Sequence, residues 1–444
     1  MNIIQEFDTI AAISTPLGTG GVGIVRISGD KSFDIIKNIF SKQTIEHAKA
    51  IHGWILDNGI KIDEVMVLSF KNPKSYTGED VVEIHCHGGV NVVKNVLNTV
   101  LKNGARMAQK GEFTKRAFLN KKMDLSQAEA VADLIHAKTK DFAKQSTKNL
   151  SGMLAQKIKE IRGDIFEVLS KIVAGIDFPE DVKEPDYEYL TEEFEKAIKK
   201  IDNVLSFAES SNIMRQGVKI AIAGKPNVGK SSLFNALLNI ERAIVTDIAG
   251  TTRDVLKETL DWDVPVTLID TAGIRGEVGI DKVEKIGIEY SKQSLEDADI
   301  ILFLYDSSQG ISEDDDRILQ LIKDKNYIKI ASKSDLINNK ERDVLYLSTV
   351  TGEGLAQLKD KIKEKAYNFS FDDTEFITNN RQQDCLVKCK ESLNLALEAA
   401  KNFELQDLIS IDLKSALLFL DEITGEVITD EILNNIFDNF CIGK

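Results

Sequence analysis

The sequence predicts a multidomain fold with α/β and α+β parts. A doubly wound α/β domain is inserted into a helical domain, and an N-terminal α+β domain precedes both. Three textures lead there. Over residues 1–118, short runs of alternating apolar and polar residues are separated by glycine-rich turns. Over about 121–211, and again over 376–444, apolar residues recur at helical spacing. Between them, from about 217 to 366, apolar strands alternate with helices, the pattern of a parallel sheet covered on both faces. A chain of 444 residues exceeds what one core usually holds. The shifts in texture place the N-terminal domain at 1–118, the helical domain at 119–215 with 367–444, and the α/β domain at 216–366.

Each element has its own local reason. Residues 21–28, 65–70 and 81–87 alternate with the period of two of a half-buried strand, and 33–40 and 90–101 read as helices. Leu125, Ala128, Val131, Ala132 and Ile135 fall on one helical stripe, as do Leu154, Ile158, Ile161, Ile165, Leu169 and Ile172. Pro179 and Pro185 break that run, because proline lacks the N–H a helix needs. A further helix is expected to turn Phe194, Ile198, Ile201 and Leu205 inward. Residues 218–223, 265–269, 300–305 and 327–331 are the apolar strands of the α/β domain. Beyond it, Leu393, Ala396, Leu397 and Ala400, then Leu413, Ala416, Leu417 and Leu420, restore helical spacing. The helices on either side of the α/β stretch are therefore expected to pack together.

Composition narrows the class of function. At 43% hydrophobic and 29% charged, the chain reads as a soluble globular protein. No apolar run is long enough to span a bilayer, and the first residues show no basic segment followed by an apolar one, so a cytoplasmic location with no membrane partner is expected. Cys86, Cys385, Cys389 and Cys441 show no pairing pattern and fit free thiols in a reducing compartment. Cys385 and Cys389 are one helical turn apart but have no third ligand nearby in sequence, which argues against a metal there. A formal net charge of −15 speaks against a surface that coats nucleic acid broadly. Any role on RNA has to come from motifs.

The motifs are specific. Residues 224–232, Gly-Lys-Pro-Asn-Val-Gly-Lys-Ser-Ser, lie between an apolar strand and a helix-spaced run, the context of a phosphate loop. Gly224 and Gly229 free backbone N–H groups to converge on phosphate oxygens, and the following helix adds its positive end. Asn227, Val228, Gly229, Lys230, Ser231 and Ser232 are therefore nucleotide-binding candidates. Lys230 reaches the outer phosphates, and Ser231 offers a hydroxyl to Mg2+. Asp270, Thr271, Ala272 and Gly273 end another strand. Asp270 is placed to hold Mg2+ through water, and the Gly273 N–H to meet the γ-phosphate. Ser332-Lys333-Ser334-Asp335 ends a third strand. A carboxylate at Asp335 accepts two hydrogen bonds from guanine, a donor pair that adenine lacks. Lys333 belongs to the same loop. Ser348 and Thr349 follow the last strand, in place for a backbone contact to the base oxygen. Four elements in this order point to GTP and to a Ras-like G domain.

Several positions depart from the usual GTPase pattern. Ser332 stands where GTPases usually carry Asn, and Thr349 where they carry Ala. Ile274 occupies the place of the glutamine that orients water in small GTPases. Glu284 is the best candidate to take over that catalytic task. Asn227, with the segment Thr246, Asp247, Ile248, Ala249, Gly250, Thr251 and Thr252, offers amide and carbonyl oxygens around the phosphates. Such a cage suits K+, with Asn227, Thr246, Ile248 and Thr251 as ligands, and the ion supplies charge that an arginine finger supplies elsewhere. Thr252 is expected to be the second hydroxyl on Mg2+.

Gly-Thr-Thr-Arg-Asp at 250–254 and Asp-Thr-Ala-Gly-Ile-Arg at 270–275 resemble the TrmE-Era-Der group of bacterial GTPases. DTIAAISTPLGTGGVGIVRISG at 8–29, SYTGEDVVEIHCHGG at 75–89, EFTKRAFLNKKMDLSQAEAVADLI at 112–135 and FCIGK at 440–444 narrow this to a resemblance, over essentially the whole chain, to the MnmE (TrmE) family of tRNA-modifying GTPases. The resemblance implies that the N-terminal domain drives a homodimer and binds a tetrahydrofolate derivative, in the 5,10-methylene or 5-formyl form. Its contacts map to Arg26, Glu83, Lys122 and Lys444, with Cys441 as a thiol beside the carbon donor. It also implies a flavoprotein partner, MnmG (GidA), in a heterotetrameric or larger complex that acts on the wobble uridine of tRNA. FAD and NADH would belong to that partner, because the Gly18–Gly23 cluster is not followed by the helix a dinucleotide fingerprint requires. A ribosome-assembly GTPase of the Era or Der kind would need a KH-like domain or a second G domain, and the sequence has neither pattern.

Overall fold

The computed structural model describes residues 8–44, 46–137, 140–207, 215, 218–240, 257–261, 265–269, 295, 297–337, 344–366 and 379–444. They fall into two compact units, one drawn from 1–135, 147–201 and 384–444, the other from 136–146 and 202–383.

The first unit opens with six strands: β1 (Ile10–Ile13), β2 (Val22–Ser28), β3 (Ala50–Asp57), β4 (Ile60–Phe70), β5 (Val81–His87) and β6 (Arg106–Met107). Their order is β3-β4-β5-β2-β1-β6. All neighbours are antiparallel except β1 and β6. Alternation sorts the two faces. Ala11, Val25, Ile27, Val82, Ile84 and Cys86 pack in one core with residues of α1 (Ser32–Ile39) and α2 (Val90–Lys102). The opposite face carries Ile10 and Ala12, packed with Phe113 of α3 (Glu112–Leu119). It also carries Arg26, directly opposite Glu83 in the β2–β5 register.

Four helices follow: α4 (Leu125–His136), α5 (Lys140–Leu150), α6 (Met153–Asp177) and α7 (Tyr187–Leu205). The α6 stripe is buried as its spacing predicts, from Leu154 to Ile172. Two expectations need correction. Ile135 ends its stripe 42% exposed. In α7 the buried positions are Leu190, Phe194, Ala197, Ile201 and Val204, while Ile198 and Leu205 are only half-buried. The small Ala197 marks the buried face, which runs one residue earlier than the larger side chains suggest.

The second unit holds β7 (Val218–Gly224), β8 (Lys257–Asp261), β9 (Pro265–Ile269), β10 (Ile300–Asp306), β11 (Tyr327–Ser332) and β12 (Leu345–Leu347), with α8 (Lys230–Ile240), α9 (Glu313–Ile322) and α10 (Leu355–Ala366). The strand order is β12-β11-β10-β7-β9-β8. Only the β8–β9 pair is antiparallel. Every residue of β10 is buried. Ile300, Leu302 and Leu304 join the core that includes Leu233, Leu237, Leu358 and Ile362; Ile301, Phe303 and Tyr305 join Ile322 on the other face. A strand covered on both sides reads as a continuous apolar run, which is why it was legible.

The chain then supplies α11 (Asn380–Lys401), α12 (Gln406–Thr424) and α13 (Asp430–Phe437). Within the first unit, Arg162 of α6 pairs with Asp421 of α12, its Nε and a terminal nitrogen each donating to one carboxylate oxygen, at 2.5 and 3.2 Å. Helices before and after the α/β stretch therefore pack together, as the returning helical texture predicted.

Candidate functional site

In the second unit, β7 ends at Gly224 and α8 begins at Lys230, so the glycine loop occupies the strand-to-helix turn. Gly224 has φ +150°, and a Cβ there would lie 2.4 Å from the Leu304 carbonyl oxygen. Only glycine permits that approach. Val228 anchors the loop in the core. Lys230 Nζ donates to the carbonyls of Gly224, at 2.6 Å, and Lys225, at 2.8 Å, closing the loop on itself. Asn227 has φ +64°, a left-handed conformation asparagine tolerates better than most. Asn227, Ser231 and Ser232 are exposed, and their side chains make no hydrogen bond among the described residues. Lys225 anchors the loop from outside, with Nζ 2.6 Å from Ser312 Oγ and 2.8 Å from Asp315 Oδ2. Burial opposes the charge of Asp315, but Lys225 and the N–H and hydroxyl of Ser312 outweigh it and hold that carboxyl below its usual range.

The guanine loop sits beside the phosphate loop. Ser332 is 3% exposed, with Oγ 2.7 Å from the Val228 carbonyl and 2.9 Å from the Tyr305 carbonyl. Lys333, at φ +56°, places Nζ 2.7 Å from Asp306 Oδ2. Burial again works against ionisation of Asp306, yet the hydrogen bonds from Lys333 and Ser308 lower its pKa. Asp335 is exposed, and the Ser348 hydroxyl donates to its Oδ1 at 2.6 Å. Ser348 itself is fully buried, and its Oγ accepts from the N–H groups of Val350 and Thr351, each at 3.3 Å. Thr349 beside it is half-buried. The structure thus brings together the phosphate loop, Lys333, Asp335 and Ser348. Thr246, Asp247, Ile248, Ala249, Gly250, Thr251, Thr252, Asp270, Thr271, Ala272, Gly273, Ile274 and Glu284 lie outside the described residues.

A second cluster lies on the first sheet. Arg26 Nε donates to Glu83 Oε1 at 2.9 Å, and the guanidinium lies over the rings of Tyr76 and Phe113, 5.5 and 5.6 Å from their centroids. His85 Nε2 is 3.3 Å from Glu83 Oε2. Residues 441–444 dock alongside. The Gly443 carbonyl accepts from Ser14 Oγ at 3.0 Å and faces Arg26 at 3.5 Å. The Cys441 and Lys444 carbonyls accept from the N–H groups of Gly111 and Phe113. Gly443 has φ +96°, and a Cβ would meet the Ile13 carbonyl oxygen at 2.2 Å. A cavity of about 260 Å³ opens among Phe70, Lys74, Ser75, Tyr76, Val81 and Glu83. Lys122 stands apart from the Arg26–Glu83 pair, its Nζ donating to the Pro73 carbonyl at 3.0 Å. The Cys441 thiol is exposed, whereas burial pushes Cys86 up to about 11 and Cys389 up to about 12.

Comparison with known proteins agrees with this layout. The family model described as the GTP-binding protein TrmE N-terminus matches residues 9–122, and the MnmE helical domain model matches 125–441. The tRNA modification GTPase MnmE of Thermotoga petrophila is 44% identical over 451 residues, covering 98% of this chain and 100% of that protein. The chain belongs to the MnmE family. The MnmE of Clostridioides difficile is also 44% identical, over 458 residues covering 98% of this chain and 99% of that protein. Among solved structures, a variant of Aquifex aeolicus Era bound to GDP and AlF4− is 28% identical over 40% of this chain and 67% of its own, with a TM-score of 0.28.

Within this chain, sequence reasoning missed His85, Tyr76, Phe113 and the Lys225–Asp315 anchor. Strand parity contains a signal for the first: Glu83 and His85 are two apart on one strand, so their side chains share a face. The others are brought to their sites by loops and by residues far apart in sequence, for which no local pattern exists.

Proposed function

We propose that this chain is a K+-dependent GTPase that, with an MnmG-type flavoprotein, adds an aminomethyl or carboxymethylaminomethyl group to C5 of the wobble uridine in certain tRNAs. The carbon comes from a tetrahydrofolate derivative. The observation that carries the GTPase reading is the direct hydrogen bond between the guanine loop and the phosphate loop, with Asp335 oriented by Ser348 beside them. The tRNA part rests on family membership and on relatives called tRNA modification GTPases.

The donor sets fit the implied groups. The Ser231 hydroxyl, without a hydrogen bond among the described residues, suits Mg2+, with Thr252 as its partner and Asp270 acting through water. The Asn227 amide oxygen, without a hydrogen bond among the described residues, suits K+, with Thr246, Ile248 and Thr251 completing the cage. Bound there, the cations neutralise charge that develops on the phosphates. Lys230 holds the outer phosphates, Val228, Gly229 and Ser232 contribute loop N–H groups, Asp335 and Lys333 hold the base, and Glu284 orients water.

The Arg26–Glu83 cluster fits a folate. Glu83 faces the donor edge of a pterin, the cavity beside Tyr76 has space for a flat ring, and Lys122 and Lys444 suit the anionic end. We take Cys441, whose thiol is exposed, as a candidate thiol beside the carbon donor. FAD and NADH stay on the partner. We assign residues 1–118 to folate binding and homodimerisation, 119–215 with 367–444 to the helical domain and 216–366 to GTP hydrolysis, all in the cytoplasm. No helix among the described residues is long and apolar enough to cross a membrane. Nucleoside mass spectrometry of tRNA from cells lacking this protein tests the proposal. Loss of the modified wobble uridine is expected, and an unchanged profile overturns it.

A further inference from the structure

Ser332 is the one residue of the guanine motif that departs from the usual pattern, and the structure gives that departure a consequence. The guanine loop is already fastened to the end of β10 by other bonds. The Ser307 N–H donates to the Ser332 carbonyl at 3.0 Å, the Ser307 hydroxyl to the Lys333 carbonyl at 3.2 Å, and Lys333 Nζ pairs with Asp306. None of these reaches the phosphate loop. Among the hydrogen bonds of the described residues, the tie between residues 332–336 and the phosphate loop is Ser332 Oγ to the Val228 carbonyl.

That tie is made by a group with too few protons. Ser332 Oγ lies within bonding distance of two carbonyl oxygens, Val228 at 2.7 Å and Tyr305 at 2.9 Å. A hydroxyl donates one hydrogen, whereas a carboxamide donates two. The Ser332 proton is therefore shared or alternates between two acceptors, and whenever it turns to Tyr305 the hydrogen bond between the two loops is lost. The site is buried, so water does not readily replace the missing donor.

We propose that Ser332 is a positioning residue that couples the base-binding loop to the phosphate-binding loop, and that its single shared proton sets how fast guanine nucleotides leave this protein. The inference rests on the nucleotide reading given above and deepens it. A nucleotide bridges both loops, so a looser tie between them shortens its residence without changing which base is selected. That choice stays with Asp335.

The test is stopped-flow displacement of a fluorescent GDP analogue from the full chain, comparing the parent with Ser332→Ala and Ser332→Asn, with thermal midpoints measured alongside. Loss of one hydrogen bond in a buried site corresponds to roughly a tenfold change. Ser332→Ala is expected to release GDP about tenfold faster, with the loss in turnover appearing in KM more than in kcat. Ser332→Asn, with two N–H donors, is expected to release GDP more slowly than the parent. A residue that only supports the fold would lower the fraction of chains able to bind, and would not be reversed in sign by asparagine. Release from Ser332→Ala at the parent rate, or from Ser332→Asn as fast as from Ser332→Ala, overturns the proposal. A parent chain that binds no guanine nucleotide defeats the underlying reading instead.

Discussion

At the scale of single residues, the proposed selectivity and cation dependence rest on two side chains of opposite circumstance. Asp335 is held by Ser348, a buried hydroxyl that itself accepts two backbone N–H groups, so its carboxylate is oriented before any base arrives. Replacing it with asparagine turns one acceptor into a donor. Asp335→Asn should lose roughly 100-fold in GTP affinity, as expected for a hydrogen bond to a charged group, and should gain affinity for XTP. Competition binding with the two nucleotides checks this; unchanged preference for GTP would remove Asp335 from the base site. Asn227 is the contrary case, exposed and making no side-chain hydrogen bond among the described residues. GTP turnover should rise when K+ replaces Na+, and Asn227→Ala should abolish that difference. Equal rates of the parent in the two salts would exclude the cation cage. A motif fixes the spacing of both residues, so their places in the base and phosphate loops follow from the sequence, while their roles belong to the proposal. His85 was not legible in this way: only strand parity links it to Glu83, two residues earlier on β5.

At the scale of elements, the helices were easier to read than the strands. The α6 stripe recurs at helical spacing over five turns, and all six expected residues are buried. Ile158→Ala, at a fully buried position, should cost about 2–5 kcal/mol by chemical denaturation of the full chain. The edge strands β6 and β12 have only two and three residues, too few for any periodicity to register; tertiary pairing defines them. Residues 441–444 show the same limit. Nothing in the sequence places Gly443 against Ile13, yet the approach leaves no room for a side chain. Gly443→Ala should displace this segment at a cost of about 1–3 kcal/mol. Hydrogen exchange at Gly111 and Phe113, whose N–H groups donate to it, should accelerate. Unchanged exchange at both amides would show that the segment accommodates the methyl group.

At the scale of the molecule, a network in the first unit is expected to contribute to stability against acid. Arg116, 9% exposed, bonds Glu79, Asp8 and Glu112, and Arg106 bonds Asp8 and Glu112. Burial raises the pKa of Glu112, but hydrogen bonds from Arg106, the Gln109 N–H and Arg116 lower it further, so the net shift is downward from 4.5. A carboxyl whose folded value is depressed stabilises the fold above its unfolded value, and that contribution is lost as the pH falls through the folded value. The thermal midpoint should therefore be steady above about pH 5 and fall as the solution is taken below 4.5. Glu112→Gln should be less stable at neutral pH and flatter in its acid response; a profile identical to the parent's would place the acid sensitivity elsewhere.

The docking of Gly443 also bears on the order in which the chain becomes native during synthesis. Ser14 and Gly443 are 429 positions apart. At roughly 5–20 residues per second, a ribosome takes about 20–90 s to make the later residue after the earlier one. Once its last strand, β6 at Arg106–Met107, has been made, the first sheet waits out the rest of that interval without the strip of chain that lies along its Arg26 face. The face is thus left open in the nascent chain until residues 441–444 have been made. A truncated product would carry the sheet without that strip.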